Sequence, residues 1–89
     1  MAQGSVTEPK YVGQLKKALE DEFPQSEIDY EPIRKERFRF VVVDATFDDM
    51  GHPERQEMVW AIAEKVLAKS DLMKVGMIIT MSPAELPSN

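Results

Sequence analysis

The sequence predicts an α+β fold in the order α-β-β-α-β-α, a three-stranded mixed sheet with helices packed on one face. Three observations predict it. Apolar residues recur at helical spacing in two stretches, 10–23 and 53–69. Apolar and polar residues alternate over 26–33 and in the first part of 37–47, and a third β-rich run covers 74–81. The second helical stretch stands between the second and third runs, long enough to cross over and bring those two strands parallel.

The elements follow in order. Residues 1–8 are expected as a tail before one domain spanning 9–87, with Thr7 capping the first helix and Glu8 and Pro9 in its first turn. Val12, Leu15, Leu19 and Phe23 form that helix's apolar stripe, with Tyr11 and Ala18 beside it, and Pro24 stops it. Ile28 and Tyr30 alternate with acids in the first strand, and Pro32 marks a strand end or an edge. A hairpin turn is expected across 32–36. In the second strand, 37–47, Phe38, Phe40 and Val42 face one way, and Arg37, Arg39, Val41 and Val43 the other.

The second helix is expected from Pro53 to about Lys69, with Met58, Val59, Ile62, Val66 and Leu67 buried and Ala61 and Ala63 allowing close approach. In the third strand Val75, Met77, Ile79 and Met81 share one face, leaving Lys74 and Gly76 on the other. The closing Ser82-Pro83-Ala84-Glu85 has the form of a capping box and predicts a last short turn.

Composition limits function. Eighty-nine residues suffice for one domain, and 43% hydrophobic content for one core. The chain has no Cys, so neither a disulfide framework nor a thiolate metal site can form. No apolar run approaches the roughly 20 residues of a membrane span. The N-terminus lacks a signal-peptide layout, and the expected location is cytoplasmic. A formal charge of −5 disfavours non-specific nucleic-acid binding, which draws its affinity from Lys and Arg at phosphates.

Several residue groups are candidates for chemistry. Asp44, Asp48, Asp49 and His52 could supply hard-cation ligands, but they lack the regular spacing of a calcium loop, and such residues also suit a turn into a helix. One His, no Cys and scattered Ser residues form no recognisable nucleophile–base set, so no enzyme is expected. Arg34, Lys35, Arg37 and Arg39 make a basic patch that could meet nucleic acid, or be a solvated edge. Arg55 stands in the first turn of a helix, where the dipole disfavours a cation. It needs a specific partner, either another molecule or Asp44 or Asp48. Trp60, five residues on, is read as partly buried packing. Gly76 is either a flat spot open to a partner or a bulge.

The stretch Phe38-Arg39-Phe40-Val41-Val42-Val43-Asp44-Ala45-Thr46-Phe47, Arg55 eight positions after that Phe, Val59-Trp60, and the closing Thr80-Met81-Ser82-Pro83-Ala84-Glu85-Leu86 together resemble the BolA family. The resemblance covers about residues 10–86 and implies a fold related to the type II KH domain. It implies a regulator of the stress-response or transcriptional kind. It also implies a monothiol glutaredoxin as partner, with which the family shares a [2Fe–2S] cluster. Where the family has its signature His, this chain has Lys74, whose ammonium has no lone pair for iron. The turn between the first two strands, Glu31 to Glu36, holds neither Cys nor His, and Glu57 replaces a family Arg. The expectation is a non-enzymatic adaptor without a cofactor, binding a protein through Arg34, Lys35, Arg37, Arg55, Lys74 and Gly76. A KH-like nucleic-acid module using Arg34, Lys35, Arg37 and Arg39 is the alternative.

Overall fold

A computed structural model describes residues 8–86. Most of the expected tail, the cap at Thr7 and the last residue of the expected domain lie outside the described residues. The first helix, α1, spans Lys10–Glu22 and follows Pro9, whose backbone is extended, so Glu8 and Pro9 precede the helix rather than form its first turn. Its stripe packs as expected: Tyr11, Val12, Leu15, Leu19 and Phe23 are all buried.

Strand β1, Glu27–Arg34, pairs antiparallel with β2, Arg37–Val43, from Glu27 opposite Val43 to Arg34 opposite Arg37. The expected turn over 32–36 is shorter, because β1 continues past Pro32 through a bulge between Pro32 and Arg34. An edge strand tolerates that proline, since its missing N–H faces no neighbour. Glu36 turns the corner at a φ of 63°, the left-handed region.

Phe38, Phe40 and Val42 face the core, but β2 stops at Val43 instead of running to Phe47. Asp44 donates its N–H to Met81 O at 3.0 Å, after which Ala45–Asp49 coil into a 3-10 turn. That turn swings Phe47 into the core, its ring 5.3 Å from that of Phe23.

Helix α2 runs from His52 to Val66 and ends before Lys69, which instead begins the one-turn α3, Lys69–Leu72. Its fully buried line is Arg55, Val59 and Ala63, four residues apart and therefore on one face. The expected stripe is displaced: Met58 and Ile62 are half-buried flanks, Ala61 is exposed and Val66 is 39% exposed, while Leu67 is buried just past the helix end. Arg55 occupies the core-facing position, with four of its five N–H groups hydrogen-bonded within the chain.

Strand β3, Val75–Met81, lies parallel to β2, giving the sheet order β1-β2-β3. Its buried face is Val75, Ile78 and Thr80, so Val75 does not share a face with Met77, Ile79 and Met81 as expected. The register jumps between Phe38 opposite Val75 and Arg39 opposite Met77, so Gly76 is an extra residue in a bulge. One extra residue exchanges the two faces of everything after it. The helices cover one face of the sheet. The other presents Arg39, Val41 and Val43 from β2 and Met77, Ile79 and Met81 from β3. The chain closes with a 3-10 turn, Pro83–Glu85.

Candidate functional site

The β1–β2 hairpin tip and the start of β3 meet at one end of the sheet. Tyr11 joins them from α1: its hydroxyl lies 3.0 Å from Glu36 O and 3.1 Å from Lys74 O. One phenolic hydrogen serves two carbonyls, so the donor is shared. Burial raises the Tyr11 phenol above its ordinary pKa of 10.0. Lys74 Nζ lies 3.7 Å from Glu36 Oε1 and 3.9 Å from Asp71 Oδ1, both loose pairs.

Arg34, Lys35 and Arg37 are exposed, and among the described residues none forms an ion pair. Arg34 and Arg37 stand directly opposite in the hairpin register, a like-charge pairing that costs stability. Arg39, in contrast, pairs with Glu31 on the open sheet face, away from the tip.

Gly76 is not an open spot. A Cβ there would lie 2.5 Å from Ile33 Cδ1, so the Ile33 side chain covers it. Ile33, Met73 and Met77 are three of the five exposed large apolar side chains among the described residues, and they surround Lys74 and Gly76. Of the residues expected in a partner surface, Arg34, Lys35, Arg37, Lys74 and Gly76 therefore do converge. Ile33 and Met77 are not legible in the sequence because an exposed apolar residue in a strand pattern looks the same as a core one, and Met73 because it caps the one-turn α3 outside any apolar periodicity.

Arg55 does not join them. It is 3% exposed and its donors are used internally. Nε donates to Met50 O at 2.9 Å and Nη2 to Phe47 O at 2.6 Å. Nη1 and Nη2 grip Glu85 Oε1 and Oε2 at 2.8 and 3.0 Å, a bidentate pair. Its partner is thus neither another molecule nor Asp44 or Asp48, but Glu85. The Arg55 hydrogen bond, aided by the Ser82 N–H, holds the Glu85 carboxyl down at about 2 from an ordinary 4.5. Glu85 Oε1 accepts the Ser82 N–H at 2.9 Å, so half of the expected capping box forms and the same carboxylate serves both roles.

Asp48, Asp49 and His52 are exposed and Asp44 is buried, and among the described residues no group of three or more His, Cys, Asp or Glu could hold a metal ion. Trp60 is half-buried as expected, donating Nε1–H to Gln56 Oε1 at 3.1 Å, while Gln56 Nε2 donates to Ile78 O at 2.8 Å. Among the described residues no helix is long and apolar enough to cross a membrane.

Element order, one antiparallel hairpin and one parallel crossover define a small α+β domain with its helices on a single sheet face. Its fold is that of the BolA proteins. BolA1 from Arabidopsis thaliana superposes with a TM-score of 0.69 at 17% identity, covering 89% of this chain and 99% of that one. The BolA domain of SufE1 from Arabidopsis thaliana gives 0.70 at 21% identity, covering 96% and 100%. A bol-like protein from Babesia bovis gives 0.59 at 12% identity, covering 94% and 93%. No family model matches the sequence, and no curated protein matches it.

Proposed function

We propose that the chain is a non-enzymatic adaptor of the BolA type that binds another protein through the end of the sheet around Lys74. The observation that carries this is the convergence there of three cations without ion-pair partners among the described residues, Arg34, Lys35 and Arg37, with exposed Ile33, Met73 and Met77. Apolar side chains framed by cations fit a partner surface of apolar and acidic residues. A monothiol glutaredoxin is the first partner to test.

The residues do not fit a shared [2Fe–2S] cluster. Lys74, standing where the family has its His, is an ammonium directed to Glu36 and Asp71. His52, the only His, opens α2 near the opposite end of the sheet. Association without a cluster is therefore the reading. Calorimetric titration with a monothiol glutaredoxin, cluster-free and cluster-loaded, tests it. Expected is a complex whose affinity falls at least about tenfold, roughly 1.4 kcal/mol, in the variant Arg34→Glu, Arg37→Glu, Lys74→Glu, with no change in the cluster's visible spectrum on mixing. A shifted spectrum overturns cluster-free binding. Should glutaredoxin not bind, an affinity capture from the host that retains the same proteins on wild type and variant overturns the surface.

The opposed pair of Arg34 and Arg37 also favours a second reading, nucleic-acid binding at the hairpin tip, against the net charge of −5. Titration of labelled DNA and RNA at two salt concentrations decides it, since phosphate contacts give a steep salt dependence. Absence of binding at low salt removes that reading.

A further inference from the structure

At the other end of the sheet a cleft of about 350 Å³ opens between Gln25, Glu27, Asp44 and the closing turn. Val43, Ala45, Pro83 and Leu86 form its apolar walls. Asp44 is only 6% exposed. Its backbone is used, with the N–H given to Met81 O and the carbonyl accepting from Phe47 N–H. Its carboxylate does not cap the 3-10 turn that it precedes. Among the described residues no hydrogen bond or ion pair reaches that carboxylate. The Asp44 carboxylate oxygens are not among the buried side-chain atoms that lack a partner, so in an otherwise buried residue they present a negative charge without a counter-charge among the described residues to the cleft.

We propose that this cleft receives a cationic side chain, Arg or Lys, carried between apolar residues on a partner protein. The charged head would sit at Asp44 and Glu27, a charge-assisted contact. The alkyl stem would lie along Val43, Pro83 and Leu86, as long cationic side chains do on apolar surface. A bare divalent ion fits less well. Two carboxylates and one amide fall short of the six to eight oxygens that calcium takes, and the remaining walls are methyl and methylene groups. The cleft lies at the end of the sheet remote from Lys74, so it stands or falls independently of the adaptor surface.

The test is a titration of the isotopically labelled full chain, followed by amide chemical shifts, with the peptide acetyl-Leu-Arg-Leu-amide, its Gln counterpart, and calcium chloride. Expected is a saturable movement of the Val43, Asp44, Ala45 and Leu86 signals with the Arg peptide. The Gln peptide binds at least about fivefold more weakly, as does the Arg peptide to Asp44→Asn. Glu27→Gln, an exposed change that leaves the core untouched, weakens binding as well and carries the test if Asp44→Asn does not fold. No saturable movement, equal binding of the Gln peptide, or binding unchanged in the variants overturns the proposal. Saturable movement with calcium alone does so too. Movement of the same signals on diluting the chain alone would make the occupant a second copy and overturn the assignment to a different protein.

Discussion

Tyr11→Phe removes one oxygen and should separate the hairpin tip from the start of β3. The hydroxyl is the donor for two carbonyls, Glu36 O at 3.0 Å and Lys74 O at 3.1 Å. Lys74 O keeps a second donor, Phe38 N–H at 3.3 Å, and Glu36 lies on the exposed tip where water can replace the phenol. The loss is therefore one net hydrogen bond without a deeply buried orphan, about 1 kcal/mol. In a domain of this size that lowers the melting temperature by roughly 4–8 °C. Tyr30→Phe is the control: its hydroxyl donates to Glu8 Oε2 at 2.7 Å in an exposed pair, and its loss should cost about 0.5 kcal/mol or less. Urea denaturation gives the energies, and amide exchange should accelerate at Phe38 more than at Val42. The alkaline limb adds a check of sign. Burial raises the Tyr11 pKa above 10.0, so the folded state keeps a proton that the unfolded chain releases. That contribution is complete below pH 10 and is lost as pH rises through the folded value. Tyr11→Phe flattens this fall only in part, because the hydrogen bond to Glu8 raises Tyr30 as well. Equal costs for the two variants, or a Tyr11→Phe cost below about 0.3 kcal/mol, would refute the reasoning.

Phe47→Ala empties a fully buried site and should cost about 3–5 kcal/mol, a large part of the margin of a domain this small, as read from urea midpoints. Glu85, held at about 2 against an ordinary 4.5, adds stability that is complete above pH 4.5 and lost as pH falls toward 2; thermal melts down the acid limb should therefore be flatter for Glu85→Gln than for the wild type. Gly76→Ala puts a Cβ 2.5 Å from Ile33 Cδ1, the far end of an exposed side chain that can turn aside, and should cost less than about 0.5 kcal/mol, with little coupling to Ile33→Ala in a double-mutant cycle. Gln56→Ala takes the acceptor from Trp60 and the donor from Ile78 O, so it should cost about 1 kcal/mol and shift the Trp60 emission to the red.

Much of this fold is legible in the sequence. The stripe of α1 needs only periodicity, and Tyr11 to Phe23 pack as that stripe predicts. The hairpin is equally clear, because Val42 and Phe40 oppose Ile28 and Tyr30, and Phe38 opposes Pro32. The misplacements have one cause each. In β3 the alternation is real, but its phase depends on the bulge at Gly76, which only the pairing with β2 sets. In α2 a polar Arg55 argues for a solvent-facing position until its donors are seen to be satisfied by Met50, Phe47 and Glu85. The run after Val43 keeps strand-forming residues, and it is the contact of Phe47 with Phe23 that turns it. The candidate surface was legible in its charges, Arg34, Lys35, Arg37 and Lys74. Its apolar part was not, since strict alternation puts Met77 on the same face as the buried Val75, and only the bulge separates them.

The clamp between Arg55 and Glu85 also bears on how the domain is made. Domains emerging from the ribosome fold from the N-terminus as their contacts become available. Here α1, the hairpin and α2 all precede residue 85 in the chain, yet the guanidinium on the inner face of α2 finds its bidentate partner only at Glu85, Asp48 supplying no more than a more distant charge. Completion of the core is thus tied to nearly the last described turn, and a chain truncated just before Glu85 would keep every strand yet leave the Arg55 guanidinium without its bidentate partner.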